Sequence, residues 1–336
     1  MMPSHRTICP LSEYGIQEAT QLVVQNNQNK KLSVIQELSP GSSYILRYTE
    51  LDPHLDYSFK IQVKRDGQWI DHRDYERVIS ELVSPEGIKY LLYPDQSSQY
   101  LVVIFQAINR QPTYGYIGTL RNCRVNKLYI KDDYGDDPAT RSSYYVGRSR
   151  SFDIANATQR LLSNAVQDLG IERSRCIFCG SSKGGFAAIY HGYKFGAGTV
   201  LAGGPQILLG DYLNSRSKEP VHHGILRYLA GDTSHESVSW ANSLIRQVIT
   251  ESAPPYPNVT IHVGDKEPHY RKHVLPFLSM CASTGIGRVE VETADYSTHA
   301  DLAKHFPIFL RNKIAHIVTD ACSHGGRTNG KIHDRL

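Results

Sequence analysis

No apolar run in this chain approaches the ~20 residues that a membrane-spanning helix requires. Runs such as YLVVIFQAI (residues 100–108) are far shorter. The start, MMPSHRTICPLSEYG, has no apolar stretch of the kind a secretory signal carries. Charge of one sign is also scarce. A net charge of +4 over 336 residues, with no concentrated Lys/Arg stripe, argues against a nucleic-acid partner. Cysteine is sparse, at 6 residues without framework spacing, so a disulfide scaffold is excluded and a reducing, cytoplasmic setting is expected. Cys176 and Cys179 form a C-x-x-C, but strand alternation places them on opposite faces, where they read as packing residues. What is plentiful is tyrosine, at 21 residues, which suits either a β-rich core or a polar ligand surface.

Hydrophobic patterning changes along the chain. Residues 1–30 are Gln/Asn-rich, and a poorly ordered start or a short helix around EYGIQEATQLVVQN is expected. From about 31 to 75 the period is two: SYILRYTE and YSFKIQVKRDGQWID read as strands, the second folded at Asp66-Gly67. This is a small N-terminal antiparallel β unit, placed at 1–80. Beyond it, strand-like and helix-like segments alternate. Near-continuous apolar strands such as QYLVVIF are separated by amphipathic runs such as FDIANATQRLLSNAVQDLG, stopped by Gly170, and KGGFAAIYHGYKFG, closed by Gly196. That alternation predicts an α/β domain over 81–318, with a mostly parallel sheet covered by helices on both faces. Residues 211–255, with His222, His223 and Trp240, are expected as a lid-like insert, and 319–336 as a disordered tail.

The stretch CIFCGSSKGGFAAIY (176–190) carries the chemistry. Five strand-like residues run into Gly180-Ser181-Ser182-Lys183-Gly184-Gly185 and then a helix, which is G-x-S-x-G centred on Ser182. A nucleophile at the tip of such a turn sits in strained backbone, and the residues two before and two after approach too closely for side chains. The turn also sets the N–H of Lys183 at a helix N-terminus, suited to an oxyanion. A phosphate-binding loop is a poor reading, because Lys183 precedes the glycines instead of following them.

A nucleophilic serine needs a base, and the base an orienting acid, in the chain order Ser, acid, His for this topology. NVTIHVGD ends at Asp265, where a strand delivers a carboxylate to the sheet's rim; Glu267, Asp211 and Asp295 compete with it. His299 lies after the last strand, in RVEVETADYSTHADL. His269 and His273, spaced i and i+4, have no third ligand motif beside them, and no metal is expected. Ala107 and Ile108, in the loop after QYLVVIF, are expected to supply a second oxyanion donor alongside Lys183. The polar, aromatic loop 132–147 should lie on the same rim, with Asp133, Tyr144 and Tyr145 as substrate contacts.

The run GSSKGGFAAIYHGYKFGAGTVLAGGPQILLGDYL (180–213), with LYIKDDYG and SSYYVG, resembles the XcbB/CpsF-type capsular polysaccharide biosynthesis proteins of bacteria. More distantly it resembles α/β-hydrolase-like accessory secretion proteins that modify glycans on exported adhesins. The resemblance implies an α/β-hydrolase fold, Ser182 as nucleophile with Asp265 and His299 as partners, and a glycan context. Gln206, in the G-x-P-Q segment, joins the expected substrate contacts. The expected activity is acyl transfer on a carbohydrate, as an O-acetyl esterase or as an O-acetyltransferase drawing on acetyl-CoA. A non-catalytic glycan-binding protein on the same fold and a serine peptidase are the alternatives.

Overall fold

Residues 57–63, YSFKIQV, alternate buried and half-buried, which is the signature of a strand with one covered face. In the computed structural model, residues 5–7, 18–39, 45–47, 57–72, 74–78, 81–109, 112–138, 140–215, 220–284 and 288–325 are described. The chain divides into two compact units, Met1–Leu91 and Leu92–Leu336, where a boundary near residue 80 was expected.

The first unit contains an antiparallel sheet of β1 (Thr20–Asn26), β2 (Leu32–Leu38), β3 (Tyr57–Arg65) and β4 (Gln68–Asp71), in the order β2-β1-β3-β4. Asp66 and Gly67 both have positive φ, 50° and 80°, as the tight β3–β4 hairpin demands. Leu22, Val24, Phe59, Ile61 and Val63 form its core. The helix expected over 13–26 is corrected for residues 20–26. Leu22 and Val24 alternate onto the same face as Phe59 and Ile61, and burial in the sheet outweighs the local helical pattern. Residues 13–17 lie outside the described residues. Of SYILRYTE, only Ile45–Arg47 is described, as a strand.

In the second unit six strands pair parallel: β5 (Leu101–Phe105), β6 (Asn126–Ile130), β7 (Cys176–Ser181), β8 (Thr199–Gly203), β9 (Asn258–Gly264) and β10 (Val289–Ala294). Their spatial order is β10-β9-β8-β7-β5-β6. The helices are α1 (Asp153–Leu169), α2 (Lys183–Phe195), α3 (Leu209–Ser215), α4 (Pro220–Ala230), α5 (His235–Glu251), α6 (Leu275–Thr284) and α7 (Leu302–Gly325). Gly170 and Gly196 end α1 and α2 in the left-handed conformation, as the sequence predicts.

Every residue of β5 and β7 is buried, so both faces of the sheet are covered. The helices responsible can be read from β8. A side chain on Gly192 of α2 would collide with Val200, and one on Gly203 would collide with Phe306 of α7. Residues 200 and 203 point to opposite faces, so α2 and α7 lie on opposite sides. The chain leaves β5 in one direction to β6 and resumes on β5's other side with β7. This reversal opens a crevice at the carboxyl ends of β5 and β7, the position at which open α/β sheets bind ligands.

The tail expected from 319 is corrected in part. α7 runs through Gly325, the last described residue, since extending an existing helix needs no new nucleus. Residues 326–336 lie outside the described residues. Within the expected lid-like insert, the described residues form α3, α4 and α5. Trp240 packs on Phe152, ring centroids 6.1 Å apart, and under Arg150. No helix among the described residues is long and apolar enough to cross a membrane.

Candidate active site

Ser182 sits between β7 and α2 with φ 56° and ψ −118°, a conformation that strains any residue bearing a Cβ. The glycines two positions either side explain how the turn closes. A Cβ on Gly180 would lie 2.7 Å from the Phe105 carbonyl oxygen and 2.5 Å from that of Gly184. A Cβ on Gly184 would overlap the Phe105 carbonyl oxygen and meet that of Gln106 at 3.0 Å. The Ser182 N–H donates to Gly203 O at 2.7 Å, which ties the elbow to β8.

The Ser182 hydroxyl has two side-chain partners. His299 Nε2 lies 2.9 Å from Oγ, and the amide of Gln206 donates to it at 2.6 Å. His299 comes from the turn that precedes α7. Its Nδ1 lies 2.5 Å from Glu267 Oε1, and Glu267 is sealed from solvent while the imidazole keeps 27% exposure. Glu267 Oε2 accepts the Gly264 N–H at 3.3 Å. Gly204 lies beneath this pair; a side chain there would press on His299 Cε1 and Glu267 Oε1 at 3.3 and 3.2 Å.

The acid assignment is therefore corrected. Asp265 is exposed, because its N–H continues the ladder to Ala294 O at 3.0 Å and turns its side chain outward. The chain then folds back, Glu267 N–H donating to Gly264 O at 3.2 Å, and it is the residue two further on that reaches the imidazole. Glu267 was legible only as a rival. Asp295 pairs with Lys266 on the surface, and Asp211 with Asn242.

The four expected substrate contacts fall into different places. Gln206 is buried and donates to Ser182 Oγ. Tyr144 reaches it indirectly, its hydroxyl donating to Gln206 Oε1 at 3.2 Å. Tyr145 is corrected: it is fully buried, its hydroxyl donates to Ile130 O at 2.8 Å and accepts the Gln106 N–H at 2.8 Å, so it braces the wall. Asp133 is buried. Its neighbour Asp132, which nothing in the sequence singles out, receives Lys183 Nζ at 2.9 Å, with both side chains excluded from solvent. Burial holds the Lys183 ammonium below its usual pKa range, opposed by the Asp132 charge. Ala107 and Ile108 are half-buried, just past the Phe105 and Gln106 carbonyls that close on Gly184.

A cavity of about 650 Å³ opens beside His299, lined by Tyr212, His269, Lys272, His273 and Thr298 among others. Tyr212 joins α3 to this wall; its ring lies 5.6 Å from His269 and 5.3 Å from His222. A larger cavity, about 890 Å³, lies against Phe152, Tyr190 and Tyr256 and includes none of Ser182, Glu267 or His299. The chemistry locates the site better than cavity size does.

No protein-family model matches the sequence, and no curated protein matches it. Solved structures do. A capsule O-acetyltransferase of Neisseria meningitidis serogroup A is similar with a TM-score of 0.60 at 16% identity, over 70% of this chain and 94% of that one. A histidine-to-alanine mutant of that enzyme in complex with CoA gives 0.60 at 18% identity, over 70% and 94%. The fluorophosphonate-binding serine hydrolase FphF of Staphylococcus aureus gives 0.54 at 12% identity, over 71% of this chain and 97% of that one. At these identities the likeness concerns the fold, which is α/β-hydrolase-like.

Proposed function

We propose that the protein is a serine acyl-transfer enzyme in which Ser182, His299 and Glu267 act as nucleophile, base and orienting acid. The observation that carries this reading is the continuous hydrogen-bonded path from Ser182 Oγ through His299 to Glu267, centred on a strained elbow. Ser182 Oγ attacks the carbonyl of an ester or thioester while its proton passes to His299 Nε2. The carbon–sulfur or carbon–oxygen bond of the donor breaks, and the imidazolium returns that proton to the leaving group. An acceptor hydroxyl, deprotonated by the same imidazole, then takes the acyl group as its bond to Ser182 Oγ breaks, and the imidazolium returns the proton to Oγ. Glu267 fixes the tautomer with the Nδ1 proton facing the carboxylate and offsets the positive charge of the imidazolium.

The oxyanion is assigned to the N–H of Lys183, at the start of α2, and to the N–H groups of Ala107 and Ile108. The closeness of the Phe105 and Gln106 carbonyls to Gly184 supports that second contribution. One such donor stabilises the transition state by about 3 kcal/mol. Gln206 holds the hydroxyl from the opposite side, steadied by Tyr144. The acyl group is taken to be acetyl, the donor acetyl-CoA and the acceptor a sugar hydroxyl of a capsule-type polysaccharide. Two things support these identities: the resemblance of residues 180–213 to capsule biosynthesis proteins, and the fold shared with a capsule O-acetyltransferase whose mutant binds CoA. Buried free thiols at Cys176 and Cys179 accord with a reducing, cytoplasmic setting.

The test is direct. The protein is incubated with acetyl-CoA and, separately, p-nitrophenyl acetate, with and without capsular oligosaccharide, while acetyl release and transfer are followed. A fluorophosphonate probe is expected to label wild type and not Ser182→Ala. Consumption of neither donor, with no adduct on folded protein, overturns the proposal.

A further inference from the structure

Glu267 serves two imidazoles. Its Oε1 lies 2.5 Å from His299 Nδ1 and 3.3 Å from His269 Nδ1. The two rings are stacked face to face, with centroids 4.0 Å apart and planes inclined by 17°. One carboxylate oxygen and two ring nitrogens thus stand within 4.8 Å of one another. A serine–histidine–glutamate relay uses two of these groups and leaves His269 over. Yet His269 is firmly placed. It is buried, and it packs against His273 at 5.1 Å and Tyr212 at 5.6 Å. The partners of His269 come from Glu267 and His299, which the fold brings together, and not from His273, whose Nδ1 accepts the Leu208 N–H.

Two imidazoles and a carboxylate, with a fourth position left to water, make the donor set of a tetrahedral zinc site. Zinc-to-ligand bonds of about 2.0–2.2 Å place tetrahedral ligand atoms about 3.4 Å apart. The Glu267–His269 separation of 3.3 Å already matches. The Glu267–His299 contact of 2.5 Å must open by about 1 Å, and because an imidazole lone pair lies in the ring plane, the partly exposed His299 ring must also turn out of its stack on His269 for both Nδ1 atoms to meet one ion; the cavity bordering His269 and His299 gives the ion a way in.

We infer that Glu267, His269 and His299 form a regulatory site for a zinc-type divalent cation, whose occupancy switches off the Ser182 centre. The consequence follows from imidazole chemistry and rests on the reading of His299 as the base. A cation on His299 Nδ1 takes the lone pair there. The ring's single proton is then carried on Nε2, the atom that faces Ser182 Oγ. A nitrogen already bearing a proton cannot accept another from the serine. The ion also removes Glu267 as the carboxylate that stabilises an imidazolium. The site and the relay are therefore alternatives, competing for the same two side chains.

The experiment titrates zinc chloride into the full chain, reading bound metal by calorimetry and turnover by p-nitrophenyl acetate hydrolysis. Wild type is expected to bind one zinc tightly, to lose hydrolysis in step with occupancy, and to recover it on adding EDTA. His269→Ala, compared with its own zinc-free rate, is expected to need at least about tenfold more zinc for half inhibition. His269→Asn, which fills the space, guards against a folding failure in the alanine variant. Ser182→Ala is expected to bind zinc as wild type does, so the metal site is judged even if Ser182 proves not to be the nucleophile. Zinc binding indifferent to both His269 variants, or full turnover with one zinc bound, overturns the inference.

Discussion

Asp132 and Glu267 are both buried carboxylates just past the end of a parallel strand, and each holds a basic side chain close to Ser182. They are surrounded very differently. Asp132 receives Lys183 Nζ at 2.9 Å, Ser142 Oγ at 3.3 Å, Ser143 N–H at 3.0 Å and Ser143 Oγ at 2.5 Å. Its cation is as deeply buried as it is. Glu267 accepts the Gly264 N–H on one oxygen and faces two imidazoles with the other, and its main partner keeps 27% exposure beside a cavity. A carboxylate saturated by fixed donors locks geometry; here it pins the loop after β6 to Lys183 at the start of α2. A carboxylate whose partner reaches both a hydroxyl and solvent can follow a proton. The comparison assigns stability to the first pair and, on the function proposed, turnover to the second.

The largest expected effect tests the second half of that division. Glu267→Ala should lower kcat for p-nitrophenyl acetate by about 10⁴-fold, as removing the acid of a serine relay does. Asp265→Ala should stay within about twofold, as expected of a surface change away from the chemistry. Equal losses in the two variants would break the comparison. Next in size is Lys183→Met, which strands Asp132 as an uncompensated buried charge. Breaking such a pair costs about 3–5 kcal/mol, measurable by urea unfolding. The double change Lys183→Met with Asp132→Leu should recover most of that loss, because the charge is then gone. A single variant as stable as wild type would show that the pair does not hold the fold.

These two pairs also mark what the sequence makes legible. Ser182 and its glycines are readable because a steric rule fixes them: Gly180 and Gly184 face backbone oxygens that exclude any side chain. His299 is readable because a loop after the last strand has few places to go. The acid is harder. Strand alternation delivers Asp265 to the rim, but a turn closed by one hydrogen bond, Glu267 N–H to Gly264 O, decides which carboxylate points inward. Asp132 is harder still. Only the fold sets it opposite Lys183, and neighbouring Asp133 reads the same in sequence. The strand at residues 20–26 is harder to read for a related reason: one partner, Leu32–Leu38, is local, but the strand whose Phe59 and Ile61 pack with Leu22 and Val24, Tyr57–Arg65, lies far along the chain.

A third, smaller effect sharpens the account of the hydroxyl between the two pairs. Gln206→Leu removes the amide that donates to Ser182 Oγ at 2.6 Å and leaves Tyr144 without its acceptor. The loss expected in kcat/KM is about 10²-fold, the size of one fixed donor. Tyr144→Phe, one bond further away, should lose less than tenfold, about 1 kcal/mol for a neutral hydrogen bond. Steady-state kinetics separate the two, and a Tyr144 effect equal to that of Gln206 would mean that Tyr144 itself meets the substrate.

The smallest effect is a slope, and it concerns a buried base that takes no part in either pair. His191 is sealed within α2, with Nε2 3.1 Å from Tyr145 O and Nδ1 3.0 Å from Gln159 Nε2. Burial pulls its pKa down from 6.5 to about 3, and burial likewise pulls His273 down to about 4. The native state thus keeps both rings neutral where the unfolded chain protonates them. Their contribution to stability is complete above pH 6.5 and is lost as the pH falls from 6.5 toward 3 for His191 and toward 4 for His273. Each ring can add up to about 1.4 kcal/mol of lost stability per pH unit within its window. His191→Asn keeps a polar side chain and cannot titrate. Unfolding free energy measured between pH 4 and 7 should therefore fall less steeply in His191→Asn than in wild type, whatever its starting value. Parallel slopes would mean that His191 is already protonated in the folded chain. The wall behind Tyr145 would then hold a buried cation in addition to Asp132 and Lys183.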